Sequence, residues 1–208
     1  MGELLLVMSK AQPGRETDYV DWYMARHLPD MTRVPGVIAG DINALTPENP
    51  GAAWGLAARY QLDRPVAEVL GAIFQRAGGA EMPLTDAIDP PSVLMLAATP
   101  LSPARAASQQ GGAPSLLFVA LTNPPAGDHE AFNTRYDDEQ IPQALSLSGV
   151  LTAQRFRLAP ETAGKASSWA YLALYELSDE AGAAALSQLY GRSGAHTGMF
   201  RRIAARPA

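Results

Sequence analysis

A helix interrupted by proline and closed by glycine occurs twice in this chain, and that duplication limits the available folds more than any other feature. The first copy runs Tyr19-Val20-Asp21-Trp22-Tyr23-Met24-Ala25-Arg26-His27-Leu28-Pro29-Asp30-Met31-Thr32-Arg33-Val34-Pro35-Gly36-Val37. Its Pro29 lies 113 residues before Pro142, and at that spacing Tyr19 falls on Phe132, Tyr23 on Tyr136, Gly36 on Gly149, Val37 on Val150 and Leu45 on Leu158. Trp54 and Tyr60 recur as Trp169 and Tyr175 at a spacing of 115, a slip that the intervening loop absorbs. Unrelated β-α-β segments share a few apolar matches. A helix, its proline, its closing glycine and two strand aromatics in step indicate a repeat.

Each copy reads as β-α-β-β-α-β. In the first, Leu4 to Met8 is a short apolar run suited to a buried strand. The helix follows Gln12-Pro13-Gly14, and Val20, Tyr23, Met24, His27, Leu28 and Met31 form its apolar stripe. Pro29 lacks an N–H and clashes with the preceding turn, so the helix kinks or restarts near His27. Val37 to Leu45 alternates, with Asp41 and Asn43 on one face and Ile42 on the other. Thr46 to Ala52 is a loop, Ala53 to Leu62 a strand, Pro65 to about Arg76 a helix ended by Gly78-Gly79, and Val93 to Ala98 a strand. The pattern restarts with a strand at Leu116 to Leu121, then a helix Glu130 to Leu145 capped by Asp128 and broken by Pro142. Strands Val150 to Leu158 and Ser167 to Leu177, a helix Asp179 to Tyr190 and a short strand Met199 to Ala205 complete it.

These elements predict an α+β chain of two tandem ferredoxin-like units, 1–99 and 115–208, joined by a small-residue and proline-rich linker, 100–114. Such a unit covers one sheet face with its own helices and leaves the other bare. Two units in one chain bury both bare faces by closing an intramolecular barrel. Whether two chains then pair as a homodimer is open.

Composition removes several functional classes. With 47% apolar residues a core is affordable, and no cysteine is present to make a disulfide, a thiolate metal site or a nucleophile. A net charge of −5 with dispersed arginines argues against a nucleic-acid partner. No apolar run approaches the roughly 18 residues of a membrane span, and the amino terminus lacks a signal-peptide pattern; a cytoplasmic protein without a membrane partner is expected. No H-x-x-x-H, H-x-H or E-x-x-H spacing suggests a metal, and no G-x-G-x-x-G or P-loop suggests a nucleotide.

Trp22-Tyr23, His27-Leu28-Pro29 and Val34-Pro35-Gly36 resemble the EthD-like branch of the dimeric α/β-barrel superfamily, with a Trp-Tyr…His-x-Pro…Pro-Gly pattern on the first helix. The second half matches in outline only, through Arg135-Tyr136, Gln140-Ile141-Pro142 and Ser148-Gly149. The resemblance implies facing ferredoxin-like sheets, here fused in tandem. The superfamily holds cofactor-free monooxygenases, cyclases, lactone isomerases and haem enzymes, so the fold does not choose a reaction.

Among candidate site residues His27 leads, because an imidazole can perform either half of a proton transfer near neutral pH. The helix end favours its protonated form and burial opposes it, while a carbonyl freed by Pro29 would orient the ring. The plainer alternative is a helix-terminal histidine bonded to backbone. Gln140 replaces it in the second copy and cannot carry a proton, so one active and one structural half are expected. Tyr23 and Asp41 are its candidate catalytic assistants, although Tyr136 repeats Tyr23 where the histidine is absent, which favours packing. Trp22 suits a pocket rim or a subunit contact. Arg59 either pairs with Asp41 or holds a substrate carboxylate. His129 is expected to be solvated. The leading expectation is an enzyme without bound cofactor acting on an apolar or aromatic small molecule, and the alternative is a non-catalytic small-molecule-binding protein. A third reading is haem binding through His196.

Overall fold

The computed structural model describes residues 2–46, 53–108, 112–191 and 194–208. The first unit comprises strand β1 (Leu4–Ser9), helix α1, strands β2 (Val37–Leu45) and β3 (Leu56–Leu62), helix α2 (Val66–Arg76) and strand β4 (Leu94–Pro100). Helix α1 is continuous through three segments, Glu16–Trp22, a π-helical turn Tyr23–His27, and Leu28–Met31. The second unit repeats the order with β5 (Leu116–Thr122), α3 (His129–Arg135, π-helical Tyr136–Gln140, Ile141–Leu145), β6 (Val150–Leu158), β7 (Tyr171–Leu177), α4 (Glu180–Tyr190) and β8 (His196–Pro207). The expected loop at Thr46 to Ala52 falls largely outside the described residues.

The eight strands form one antiparallel barrel in the order β7-β5-β8-β2-β3-β1-β4-β6, closed by β6 on β7. Two seams join the units. At one, β2 pairs with β8 from Leu45↔Phe200 to Ala39↔Pro207. At the other, β4 meets β6 through Ala98↔Leu158, Thr99↔Arg157 and Pro100↔Phe156, and Arg105–Ala106 extends the pairing along Ala153 and Thr152. The expected linker is therefore partly tied to the second unit's sheet. The last strand is longer than its sequence pattern suggested. Its first part pairs with β5 of its own unit, and the remainder continues onto β2, where polar Arg201, Arg202 and Arg206 hide the strand signal.

Alternation along each strand sorts side chains between two cores. Leu4, Leu6, Met8, Leu117, Val119, Leu121, Leu172 and Leu174 fill the barrel. Outward residues meet the helices: Leu5, Ile42 and Tyr60 pack on Tyr23, Leu28 and Val69, while Phe118 and Tyr175 pack on Tyr136, Leu186 and Tyr190. The stripe on α1 departs from regular helical spacing. The π-turn adds a residue, so Tyr19, Tyr23, Leu28 and Met31 are buried and Met24, expected inside, is 43% exposed.

Both closing glycines adopt the left-handed conformation, Gly36 at φ 97° and Gly149 at φ 82°. A Cβ on Gly36 would meet Val69 at 2.8 Å, and one on Gly149 would collide with the carboxylate of Asp179. Asp179 caps α4 by accepting the Gly182 N–H at 3.0 Å. Gly149→Ala therefore combines backbone strain with a displaced cap, and a loss of about 2–3 kcal/mol is expected in chemical denaturation. An unchanged midpoint would contradict this reading.

Candidate functional site

The π-turn on α1 follows from Pro29. In a regular helix the proline ring would strike the carbonyl of Ala25. Instead the helix widens, and the Leu28 N–H bonds to the Tyr23 carbonyl five residues back. Helix α3 does the same before Pro142, with the Ile141 N–H on the Tyr136 carbonyl. Because both copies share it, the π-turn is a feature of the fold. What differs is the residue at its end, His27 or Gln140.

The π-turn brings Trp22, Tyr23 and His27 together. The His27 ring stacks on Trp22 with centroids 4.6 Å apart and planes 20° from parallel, and meets Tyr23 edge-on at 4.8 Å. Trp22 also stacks on Tyr19 at 5.8 Å, and its indole N–H donates to the Pro83 carbonyl at 3.2 Å. The Tyr23 hydroxyl turns toward the sheet, where it accepts from Tyr60 at 3.2 Å. Burial pushes the Tyr23 phenol well above its ordinary range, so it stays protonated. Burial also lowers His27 to about 4, which leaves its imidazole neutral at pH 7. Of the two opposing effects expected at this position, burial dominates. The expected orienting carbonyl is missing: His27 Nδ1 is buried with no hydrogen-bond partner among the described residues.

Asp41 and Arg59 do not join this group. They are direct cross-strand partners and project from the opposite face of the sheet into the barrel, whereas Ile42, the next residue along β2 and paired with Ala58, faces Tyr23 and Leu28. Arg59 Nε donates to both oxygens of Asp41 at 3.0 Å, and its Nη2 reaches Glu176 Oε1 at 3.0 Å. Arg202 Nη2 donates to the same Glu176 oxygen at 2.8 Å. Burial raises the Glu176 carboxyl, but the two guanidiniums outweigh it and hold the group below the usual carboxylate range. Asn43 donates to Asp41 at 2.6 Å, leaving its own carbonyl oxygen unpaired, and Arg202 Nε across the β2–β8 seam is likewise unpaired among the described residues. The sequence reading found Asp41 and Arg59 and missed Glu176 and Arg202. The single carboxylate in Tyr-Leu-Ala-Leu-Tyr-Glu-Leu was the available signal.

A third polar cluster also escaped the sequence reading. Arg155, 2% exposed, lies between β6 and α3 with its guanidinium 4.1 Å from the Tyr136 ring centroid, 5.5 Å from Tyr171 and 5.7 Å from Phe132. It donates to Asp137 at 3.0 Å and to the Asn133 side chain at 2.7 Å. Nearby, His129 is exposed as expected yet hydrogen-bonds Tyr171 through Nδ1 at 2.8 Å.

His196 sits at one end of the barrel between Trp54 and Trp169, with ring centroids 5.1 and 5.6 Å away. The adjoining cavity is about 10 Å³, so the residues around His196 do not fit a haem. Among the described residues, no three His, Asp or Glu side chains are grouped to hold a metal ion. No helix among them is long and apolar enough to cross a membrane.

No protein-family model matches the chain, and no curated protein matches it by sequence. Solved structures match along almost its whole length. An anthrone oxidase-like protein aligns over 99% of this chain and 92% of its own, at a TM-score of 0.65 and 11% identity. A mutant chlorite dismutase from Candidatus Nitrospira defluvii covers 97% and 91%, at 0.60 and 12%. A monooxygenase-like protein from Lactobacillus acidophilus NCFM covers 100% and 97%, at 0.52 and 11%. The chain thus shares the α/β-barrel architecture of ferredoxin-like units with proteins of dissimilar sequence.

Proposed function

We propose that the chain is a small-molecule enzyme of the EthD-like kind that needs no bound cofactor and takes a proton from a flat, mostly apolar metabolite through His27. The observation that carries this reading is the neutral imidazole with an unpartnered buried Nδ1. Leaving that nitrogen unsatisfied costs about 1–3 kcal/mol. None of the described cavities reaches His27, so a substrate hydrogen satisfies it only once Trp22 or Tyr23 shifts off the ring. Trp22 supplies a flat wall beside the ring, and Gln140 explains why the second unit would lack the activity. Tyr23 contributes packing beneath the ring. Asp41 and Arg59 have no part in this step, since both lie on the other face of the sheet.

Isomerisation, cyclisation and dehydration can each begin with proton loss at an activated carbon. Anthrone is a suitable probe because its methylene hydrogens are acidic and a structural neighbour is anthrone oxidase-like. Under anaerobic conditions the protein should accelerate hydrogen–deuterium exchange at that carbon. His27→Ala and His27→Gln should each lower the acceleration by about 100-fold or more. Activity should fall with acid only as pH approaches about 4, where His27 takes a proton, instead of near 6.5. Full exchange by His27→Ala would overturn the assignment.

A second reading, a non-catalytic binding protein, is favoured by the close packing of His27 between Trp22 and Tyr23. A base of such low pKa is also a weak one at neutral pH. Under this reading, anthrone binds His27→Gln and the unaltered protein equally at every pH and neither accelerates exchange.

A further inference from the structure

We propose that the open end of the barrel is a second ligand site, independent of His27, for a small neutral ring compound bearing a carbonyl group, such as an aryl amide or lactam. The far end is blocked by Trp54, Trp169 and His196. At the near end a cavity of about 240 Å³ remains, lined by residues of both units. A cavity of roughly 150 Å³ holds benzene, so this space suits one ring with a polar substituent.

The strands alternate in direction all round the barrel, which places β1 and β5 parallel to each other and the pseudo-two-fold axis along the barrel. Repeat-related positions consequently share the same end. Asp41 corresponds to Gln154 at the spacing of 113, and Arg59 corresponds to Leu174 at 115. All four line the cavity, so one wall is an ion pair and the other is Leu174 with Phe156 and the Gln154 amide. An occupant needs one apolar face and one hydrogen-bonding edge.

The polar groups specify that edge. Arg59 spends Nε and Nη2 on Asp41 and Glu176, and its Nη1 makes no hydrogen bond to a described residue. That nitrogen is a donor for a carbonyl oxygen. Gln154 donates through Nε2 to the Ser102 carbonyl at 3.3 Å, which leaves its side-chain oxygen to accept an N–H or O–H. Asp41 and Glu176 balance Arg59 and Arg202, and Glu3 at the cavity edge adds negative charge. A carboxylate ligand would therefore meet repulsion where a neutral amide does not.

Benzamide and benzoate, nearly equal in shape, separate these possibilities by titration with calorimetry and backbone-amide NMR. Benzamide is expected to shift the amides of Leu4, Gln61, Gln154 and Leu174 and to bind at least about five-fold more tightly than benzoate. Gln154→Leu should weaken it by about five-fold. Ile38→Trp, at an exposed residue lining the mouth, should abolish binding without altering the core. His27→Gln should change nothing, so failure here and failure of the His27 reading are distinguishable. Equal or tighter benzoate binding, shifts confined to α1, no benzamide binding at millimolar concentration, or unchanged affinity in Ile38→Trp would each overturn the proposal.

Discussion

Arg155→Ala is expected to destabilise the protein by about 3–5 kcal/mol, the largest loss of any single substitution considered. The side chain is almost fully buried, its guanidinium lies against three aromatic rings, and its N–H groups bond Asp137 and Asn133. Truncation leaves a cavity under α3 and removes the partner of the Asn133 side-chain oxygen, while half-exposed Asp137 is left to water. The other unit shows how the same space can be filled without charge. At the spacing of 113, Ile42 corresponds to Arg155, Val20 to Asn133 and Met24 to Asp137. A triple variant carrying Arg155→Ile, Asn133→Val and Asp137→Met should recover most of the lost stability, because exchanging a whole buried polar group for apolar packing is often neutral or favourable. Thermal and urea unfolding of the two variants checks both expectations. If Arg155→Ala costs under about 1 kcal/mol, or the triple variant is as weak as the single, the cluster has been misread.

Replacing His27 by glutamine should flatten the acid limb of the stability curve. The folded pKa of about 4 lies below the ordinary value of 6.5, so between those values the unfolded chain binds the proton and the folded chain does not. Stability therefore falls as pH drops from 6.5 toward 4, by up to about 3 kcal/mol for this group alone. Glutamine removes that titration and is already accommodated at the same point of α3. The measurement is urea unfolding at pH 7, 5.5 and 4, compared between the two proteins. Parallel curves would mean that the imidazole is not held neutral by burial. Glu176, whose folded pKa is depressed, loses its stabilising share only as pH falls through the carboxylate range, below the upper part of the His27 window.

The barrel was legible because its signals are local and repeated. Pro29 with Gly36 and Pro142 with Gly149 mark the same helix and turn twice, and Trp54 and Trp169 mark matching strand ends. The alternation in Val37 to Leu45 also placed Asp41 and Asn43 opposite Ile42 correctly. What escaped depends on residues far apart in the chain. Glu176 is 117 positions from Arg59, and no local pattern records that they meet. Nothing local to Val150 to Leu158 records that Arg155 is buried, because the aromatic surface that covers it comes from α3 and Tyr171. The π-turn was foreshadowed by proline, yet the one-residue phase change that exposes Met24 and turns His27 against Trp22 depends on how the helix resolves that clash. Of the expected site, Trp22, Tyr23 and His27 share one location, while Asp41 and Arg59 occupy another.

The seam between β2 and β8 also bears on how the chain leaves the ribosome. The first unit is synthesised complete in its own strands, but its inward-facing leucines find cover only in the strands of the second unit, and its β2 edge only when residues 200–207 have been made. During that interval a nascent chain carries an open strand edge beside an apolar sheet, a combination prone to pairing with a neighbouring copy. Removing residues 204–207, which pair with β2 and not with β5, would injure the first half of the molecule before the second.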